Sequence, residues 1–163
     1  MKYYTGIGSR QTPSAILKLM EEIALYLGKL EYCLRSGGAN GADQAFELSA
    51  RRGEFKCEIW RPQDATPESL AMAALFHPVW ANLTPSVKNL HARNCMVVLG
   101  PYLNKPSGLV VCWTKDGADG VTVPTTIKTG GTGHAIRVAA KHGIRVYNLF
   151  RPEIMERIIK KIR

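Results

Sequence analysis

The sequence predicts an α/β fold of the Rossmann-like kind, a three-layer α/β/α sandwich around a mostly parallel sheet. Three observations point to it. Short apolar runs of strand length alternate with longer runs of helical period along most of the 163 residues, the rhythm of parallel strands joined by helical crossovers. Glycine-rich turns stand between a strand-like and a helix-like run at Thr5–Arg10, Ser36–Asp43 and Thr129–His134. Hydrophobic residues make up 45% of the chain, enough for one buried core, so residues 1–163 read as a single domain.

Lys2 to Ile7 reads as the first strand, ending in Gly6-Ile7-Gly8-Ser9-Arg10. Pro13 suits the first turn of a helix, and Ile16, Leu17, Met20, Ile23, Ala24 and Leu27 repeat with helical period. Tyr32 to Arg35 is a short second strand. Gly41 to Arg52 is helical, with Ala45, Phe46 and Leu48 apolar and Gly53 as a C-terminal stop. Cys57 to Trp60 is a third strand. From Ala65 to Pro106 the alternation breaks, punctuated by Pro67, Pro78 and Pro85, with helices expected near 68–76 and 86–99. Gly108 to Trp113 is the clearest buried strand. Lys115 to Lys128 is too long for an ordinary strand-to-helix turn and is expected to form a lid or a protruding hairpin. A helix over 131–142, a strand over 145–148 and a last helix over 152–162 complete the chain, the last with an apolar face of Met155, Ile158, Ile159 and Ile162.

Composition narrows the function classes. No apolar run approaches the roughly 20 residues that a bilayer requires, and the N-terminus lacks a signal-peptide core, so a soluble, cytoplasmic protein without membrane partners is expected. Cys33, Cys57, Cys95 and Cys112 form no CxxC pair and read as reduced thiols. His77, His91, His134 and His142 have no metal-ligand spacing, so no metal and no cofactor is expected. The formal charge of +9 favours anionic partners, nucleotide or nucleic acid alike.

In an open parallel sheet the ligand sits outside the carboxyl ends of the strands, where strand order reverses. Bare N–H groups of a glycine turn and of the following helix then face an anion. On that basis Gly8, Ser9 and Arg10 are candidate ligand contacts in the first turn. Ser36, Gly37 and Gly38 are candidates in the second, where Asp43 either caps the next helix, as Asn40 also could, or holds a ribose hydroxyl. Gly130, Gly131, Thr132 and Gly133 form the third and strongest phosphate site. Arg93, within the apolar helix that carries Leu90, Met96, Val97 and Leu99, points into a polar cleft or out to water, with His91 and Asn94 beside it. Trp113 and Thr114 end the fourth strand at the same edge, where the indole either stacks on a base or joins the core. No serine triad, zinc-protease helix or P-loop lysine is present, and no catalytic residue is assigned.

Gly8-Ser9-Arg10, Ser36-Gly37-Gly38-Ala39 through Asp43, Arg93-Asn94 and Gly130-Gly131-Thr132-Gly133 together resemble the SLOG superfamily, which unites DprA (Smf) proteins with the LOG cytokinin-activating enzymes. The likeness runs to about residue 149 and is greatest to small stand-alone DprA-like proteins carried by phages and mobile elements. It implies a Rossmann-like fold, a nucleotide-type ligand and a homo-oligomer, a dimer or larger. LOG enzymes release ribose 5′-phosphate from a nucleotide with an arginine, matched by Arg93, and a Glu-Glu pair, matched here by Ile136 and Arg137. An isoleucine cannot handle a proton or stabilise a cationic ribose, so LOG chemistry is not expected unless Asp43 or Asp116 substitutes. DprA relatives imply single-stranded DNA as an alternative partner, although aromatic residues are only 8% and do not interleave with the charges. The reading adopted is a binder of a small nucleotide-derived phosphorylated ligand, a sensor or sponge in phage–host conflict. The alternatives are a LOG-like nucleotide-processing enzyme and a DprA-like DNA binder.

Overall fold

A computed structural model describes residues 1–163. Five strands alternate with helices: β1 (Lys2–Gly6), α1 (Ser14–Lys29), β2 (Tyr32–Ser36), α2 (Ala42–Arg52), β3 (Cys57–Ile59), α3 (Pro67–Phe76), α4 (Pro85–Leu99), β4 (Leu109–Cys112), α5 (Thr132–Lys141), β5 (Arg145–Asn148) and α6 (Pro152–Ile162). All strands are parallel, in the order β3-β2-β1-β4-β5, so the order reverses between β1 and β4. Thr5 pairs with Val110 across that junction, and Gly6 with Val111. The result is the three-layer Rossmann-like fold that the alternating pattern predicts. No helix is long and apolar enough to cross a membrane.

Alternation along each strand divides the core in two. Tyr4, Leu34 and Val111 face α1, α2 and α6, packing with Met20, Ile23, Ala45 and Phe46. Val110, Cys112 and Val146 face the opposite layer, with Val97, Val98 and Leu99 of α4 and Ile136 and Val138 of α5. Thr5, on that second face, donates its hydroxyl to Val97 O at 2.7 Å. The segment in which the strand–helix rhythm breaks supplies two helices to this layer: α4 lies under the sheet, and α3 packs outside it against α4 and α5.

Several local expectations change. Pro13 stands at the N-cap of α1 rather than inside its first turn. Gly41, not Asn40 or Asp43, is the N-cap of α2, and Leu48 lies on its exposed face. Residues 115–128 contain no strand and form no hairpin. The loop is folded onto the body instead. Asp119 accepts from the N–H groups of Val121, Thr122 and Val123 at 2.8–2.9 Å and pairs with Arg151 at 2.8 Å, while Ala118 is fully buried. Arg35 is a buried charge that the strand pattern does not announce: it pairs with Glu58 at 3.1 Å, donates to Lys105 O and lies 3.7 Å from the Tyr3 ring centroid.

Candidate functional site

The first glycine turn continues the pairing of β1 with β4 beyond the strand, through Ile7 N–H to Val111 O and Ser9 N–H to Trp113 O, both at 3.1 Å. Ser9 closes a local turn: its hydroxyl oxygen accepts from Gln11 N–H at 3.0 Å and its carbonyl from the Thr12 hydroxyl at 2.6 Å. Short polar side chains that bond to neighbouring backbone hold such turns without a regular ladder. Arg10 leaves this turn exposed and unpaired.

The second turn is bound to its surroundings at almost every point. Ser36, fully buried, donates to Gly6 O at 2.6 Å. The Asp43 carboxylate accepts from Ala39 N–H at 3.3 Å and from the N–H groups of Gly8 and Gly37, tying the first turn to the second. Arg93 donates to Gly37 O and to Trp60 O, the latter at 3.1 Å, and its Nε donates to Asn94 Oδ1 at 3.1 Å. A Cβ on Gly37 would fall 2.6 Å from Arg93 Nη1 and 2.7 Å from Asp43 Oδ2, so this close approach requires glycine. Burial pushes the Asp43 carboxyl up to about 6, against the opposing pull of Arg93 and the three N–H groups. Burial likewise lowers the Arg93 pKa, with Asp43 working to restore it.

The third turn is held from behind and open in front. Asp116 accepts from the hydroxyls of Thr129 at 2.5 Å, Thr114 at 2.8 Å and Thr126 at 3.2 Å. Burial works to raise the Asp116 pKa, but these hydrogen bonds and one from Ala118 N–H hold it below the usual carboxylate range. Gly130 takes φ +74°, a conformation that favours glycine, and turns the chain into α5. Gly131 has open space where a Cβ would stand, and neither its N–H nor that of Thr132 has an acceptor in the protein. Asn94 Nδ2 donates to Gly131 O at 3.2 Å and so links this turn to the Arg93 cluster.

Between the first and third turns lies a cavity of about 430 Å³. It brings together Gly8, Ser9 and Arg10, then Asp43, then His91, Arg93 and Asn94 of α4, and finally Gly130, Gly131 and Thr132. It opens beside the carboxyl ends of β1 and β4, where the strand order reverses. Six expected contacts stand outside its lining. Ser36, Gly37 and Gly38 pack behind it, and Gly38 O accepts from Arg61 at 3.3 Å. The Trp113 ring sits edge-on to Phe150 at 6.1 Å, within the apolar layer of α1, α2 and α6. Thr114 is fully buried against Asp116 and Asn148. Gly133 spends its N–H on Gly130 O at 3.0 Å.

Ile136 is fully buried in the core, away from the cavity. Of the two carboxylates considered as substitutes for the missing glutamate, Asp43 lines the cavity, whereas Asp116 is committed to three threonines.

Sequence spacing gave no sign of an imidazole cluster next to the cavity. His77, His91 and His134 come together with ring centroids 4.6, 4.7 and 6.0 Å apart. Their donors do not converge in metal-ligand geometry. Burial lowers the His91 pKa to about 4 and that of His134 to about 3, which keeps both rings neutral near pH 7. The buried Nδ1 atoms of His91 and His134 have no hydrogen-bond partner. The C-terminus of α3 and facing turns of α4 and α5 create the cluster, so only the register in which these helices pack would have revealed it. A separate apolar groove of about 260 Å³ lies on the opposite layer, between α1, α6 and the sheet.

No protein-family model matches the chain. No curated protein matches it either. Among solved structures, it is similar to the X-ray structure of DNA processing protein A (DprA) from Streptococcus pneumoniae, with 18% sequence identity and a TM-score of 0.57 over 90% of this chain. The chain spans about half of that protein, 49% of its length. This likeness is one of fold.

Proposed function

We propose that this protein binds a small phosphorylated ligand derived from a nucleotide, in the cavity between the first and third glycine turns. One observation carries the reading. The unpaired N–H groups of Gly131 and Thr132, at the start of α5, open into the cavity that also holds Arg10 and Arg93. A helix N-terminus with free N–H groups and two nearby guanidiniums is a complementary environment for phosphate. The Arg93 hydrogen bonds use Nε and Nη1 and leave Nη2 for the ligand. The cavity volume of about 430 Å³ falls within the range of about 300–1,000 Å³ common for small-molecule sites. Asp43 lies on the same wall and serves a ribose hydroxyl as acceptor. A role as sensor or sponge, acting as a homo-oligomer, accords with binding without turnover.

Two tests bear on this reading. Purified protein is denatured and the released small molecules are identified by mass spectrometry, with a nucleotide-type phosphate expected. Calorimetric titration with nucleoside monophosphates then measures affinity across salt concentrations. Small-ligand binding with a shallow salt dependence supports the proposal. Tight binding of single-stranded DNA that collapses steeply with salt would instead favour the reading drawn from the DprA likeness and the charge of +9. Release of free base, abolished in Asp43→Asn, would favour a nucleotide-processing enzyme.

A further inference from the structure

A second cavity, of about 710 Å³, adjoins the first across the ridge formed by Gly130 and Gly131, and His91 lines both. Its walls combine an apolar rim with one cation. Three of the nine large hydrophobic side chains that are exposed in this protein stand on its border: Leu75 at 79%, Val79 at 49% and Ile127 at 100% exposure. Scattered exposed apolar residues need no explanation, but a group around one concavity marks a binding surface. Leu75 belongs to α3, whose sequence Pro-Glu-Ser-Leu-Ala-Met-Ala-Ala-Leu-Phe is apolar around most of its circumference, as in a helix covered on more than one side.

The cation is Arg137, on α5. It donates only to neutral acceptors, Phe76 O and the Thr125 hydroxyl, both at 3.3 Å, and has no carboxylate partner. On the shared wall, the buried Nδ1 of His91 lacks a partner.

From this arrangement we infer that the ligand is a dinucleotide. One nucleoside unit occupies the first cavity, the linking phosphate crosses the Gly130–Gly131 ridge, and the second unit rests against Leu75, Val79 and Ile127 beside Arg137. This inference rests on the proposed nucleotide site and extends it from one cavity to two. A mononucleotide leaves the apolar rim and Arg137 unused, whereas two nucleoside units joined by phosphate match two cavities with the free N–H of Gly131 between them.

The experiment is calorimetric titration with the four nucleoside 5′-monophosphates, the full set of 5′-phosphorylated dinucleotides, and ten-residue oligonucleotides, on the intact chain and on Ile127→Glu. Ile127 is fully exposed, so its replacement does not disturb the core. The best dinucleotide is expected to bind at least about tenfold tighter than the best mononucleotide, with little further gain from longer chains. Ile127→Glu is expected to reduce that ratio to about one, because the carboxylate repels the second unit and removes its apolar contact. Arg137→Gln is expected to reduce the ratio in the same direction. Equal affinity for mono- and dinucleotides overturns the inference but leaves the first cavity intact. Affinity that keeps rising with length also overturns it and points to single-stranded nucleic acid. Failure of every mononucleotide and dinucleotide to bind removes the nucleotide site itself.

Discussion

The second glycine turn, Ser36–Gly41, and the third, Thr129–Gly133, are built from much the same residue types, yet a Cβ at Gly37 would fall 2.6 Å from Arg93 Nη1 while one at Gly131 meets nothing within 4 Å. In the second turn, Gly37 N–H is taken by Asp43 and Gly37 O by Arg93. In the third, Gly131 and Thr132 line a cavity and keep unpaired N–H groups. Glycine thus serves packing in one turn and access in the other. What separates them is the neighbouring chain: α4 passes close enough to the second turn to lay Arg93 across it, but bonds to the Gly131 backbone of the third through Asn94 on the carbonyl side and leaves the N–H free.

The largest expected effect breaks the packed turn. Gly37→Val drives two methyl groups into the Arg93–Asp43 contact, and a loss of about 1–3 kcal/mol in urea unfolding is expected, the scale of an overpacked core. The open turn should behave in the opposite way. Gly131→Asp has room for its side chain, so stability should change by less than about 0.5 kcal/mol, as at other surface sites. Its carboxylate stands where the phosphate is proposed to bind, so nucleotide affinity in calorimetry should fall by at least about tenfold.

Acid should sharpen the contrast between the packed turn and the imidazole cluster. His91 and His134 have folded pKa values of about 4 and 3, below the ordinary 6.5, so the unfolded chain binds more protons and stability falls as pH drops below about 6.5. Asp43, raised to about 6 from 3.8, acts in the reverse sense: the folded state holds its proton more tightly between those values, so stability gains as pH falls through them. The two histidines outweigh the one carboxyl, and net acid destabilisation is expected from pH 6.5 to 4. In Asp43→Asn the opposing contribution vanishes, so urea midpoints measured across that interval should fall more steeply with acid than in the parent. The smallest effect concerns Trp113. Its ring packs on Phe150 outside the cavity, so Trp113→Phe should leave nucleotide affinity unchanged within calorimetric error.

The fold was legible because strand and helix periods differ and the glycine turns mark their junctions, so β5 and α6 fall where the pattern puts them. The candidate site was legible in part. Gly8, Arg10, Arg93 and Gly131 converge because topology carries both strand ends to one edge, which follows from the βαβ rule rather than from any one residue. Whether a glycine turn is packed or open depends on contacts far away in sequence, as with Arg93 and the Gly37 carbonyl, 56 residues apart. No local pattern encodes that. The His77–His91–His134 cluster and the burial of Arg35 escaped for the same reason. The loop over 115–128, expected as a lid or a protruding hairpin, is no hairpin, because Asp116 and Asp119 organise it through side-chain hydrogen bonds instead of a strand ladder.

The contrast between the two turns is tested most directly by amide resonances. In a ¹H–¹⁵N correlation titration with a nucleoside 5′-monophosphate, the account predicts saturable shifts concentrated at Gly131, Thr132, Ser9 and Arg10. Gly37 and Gly38, whose surroundings are already filled by protein, should move little. Shifts centred on the α1–α6 groove, or on Gly37 and Gly38 with Gly131 and Thr132 unmoved, would contradict it.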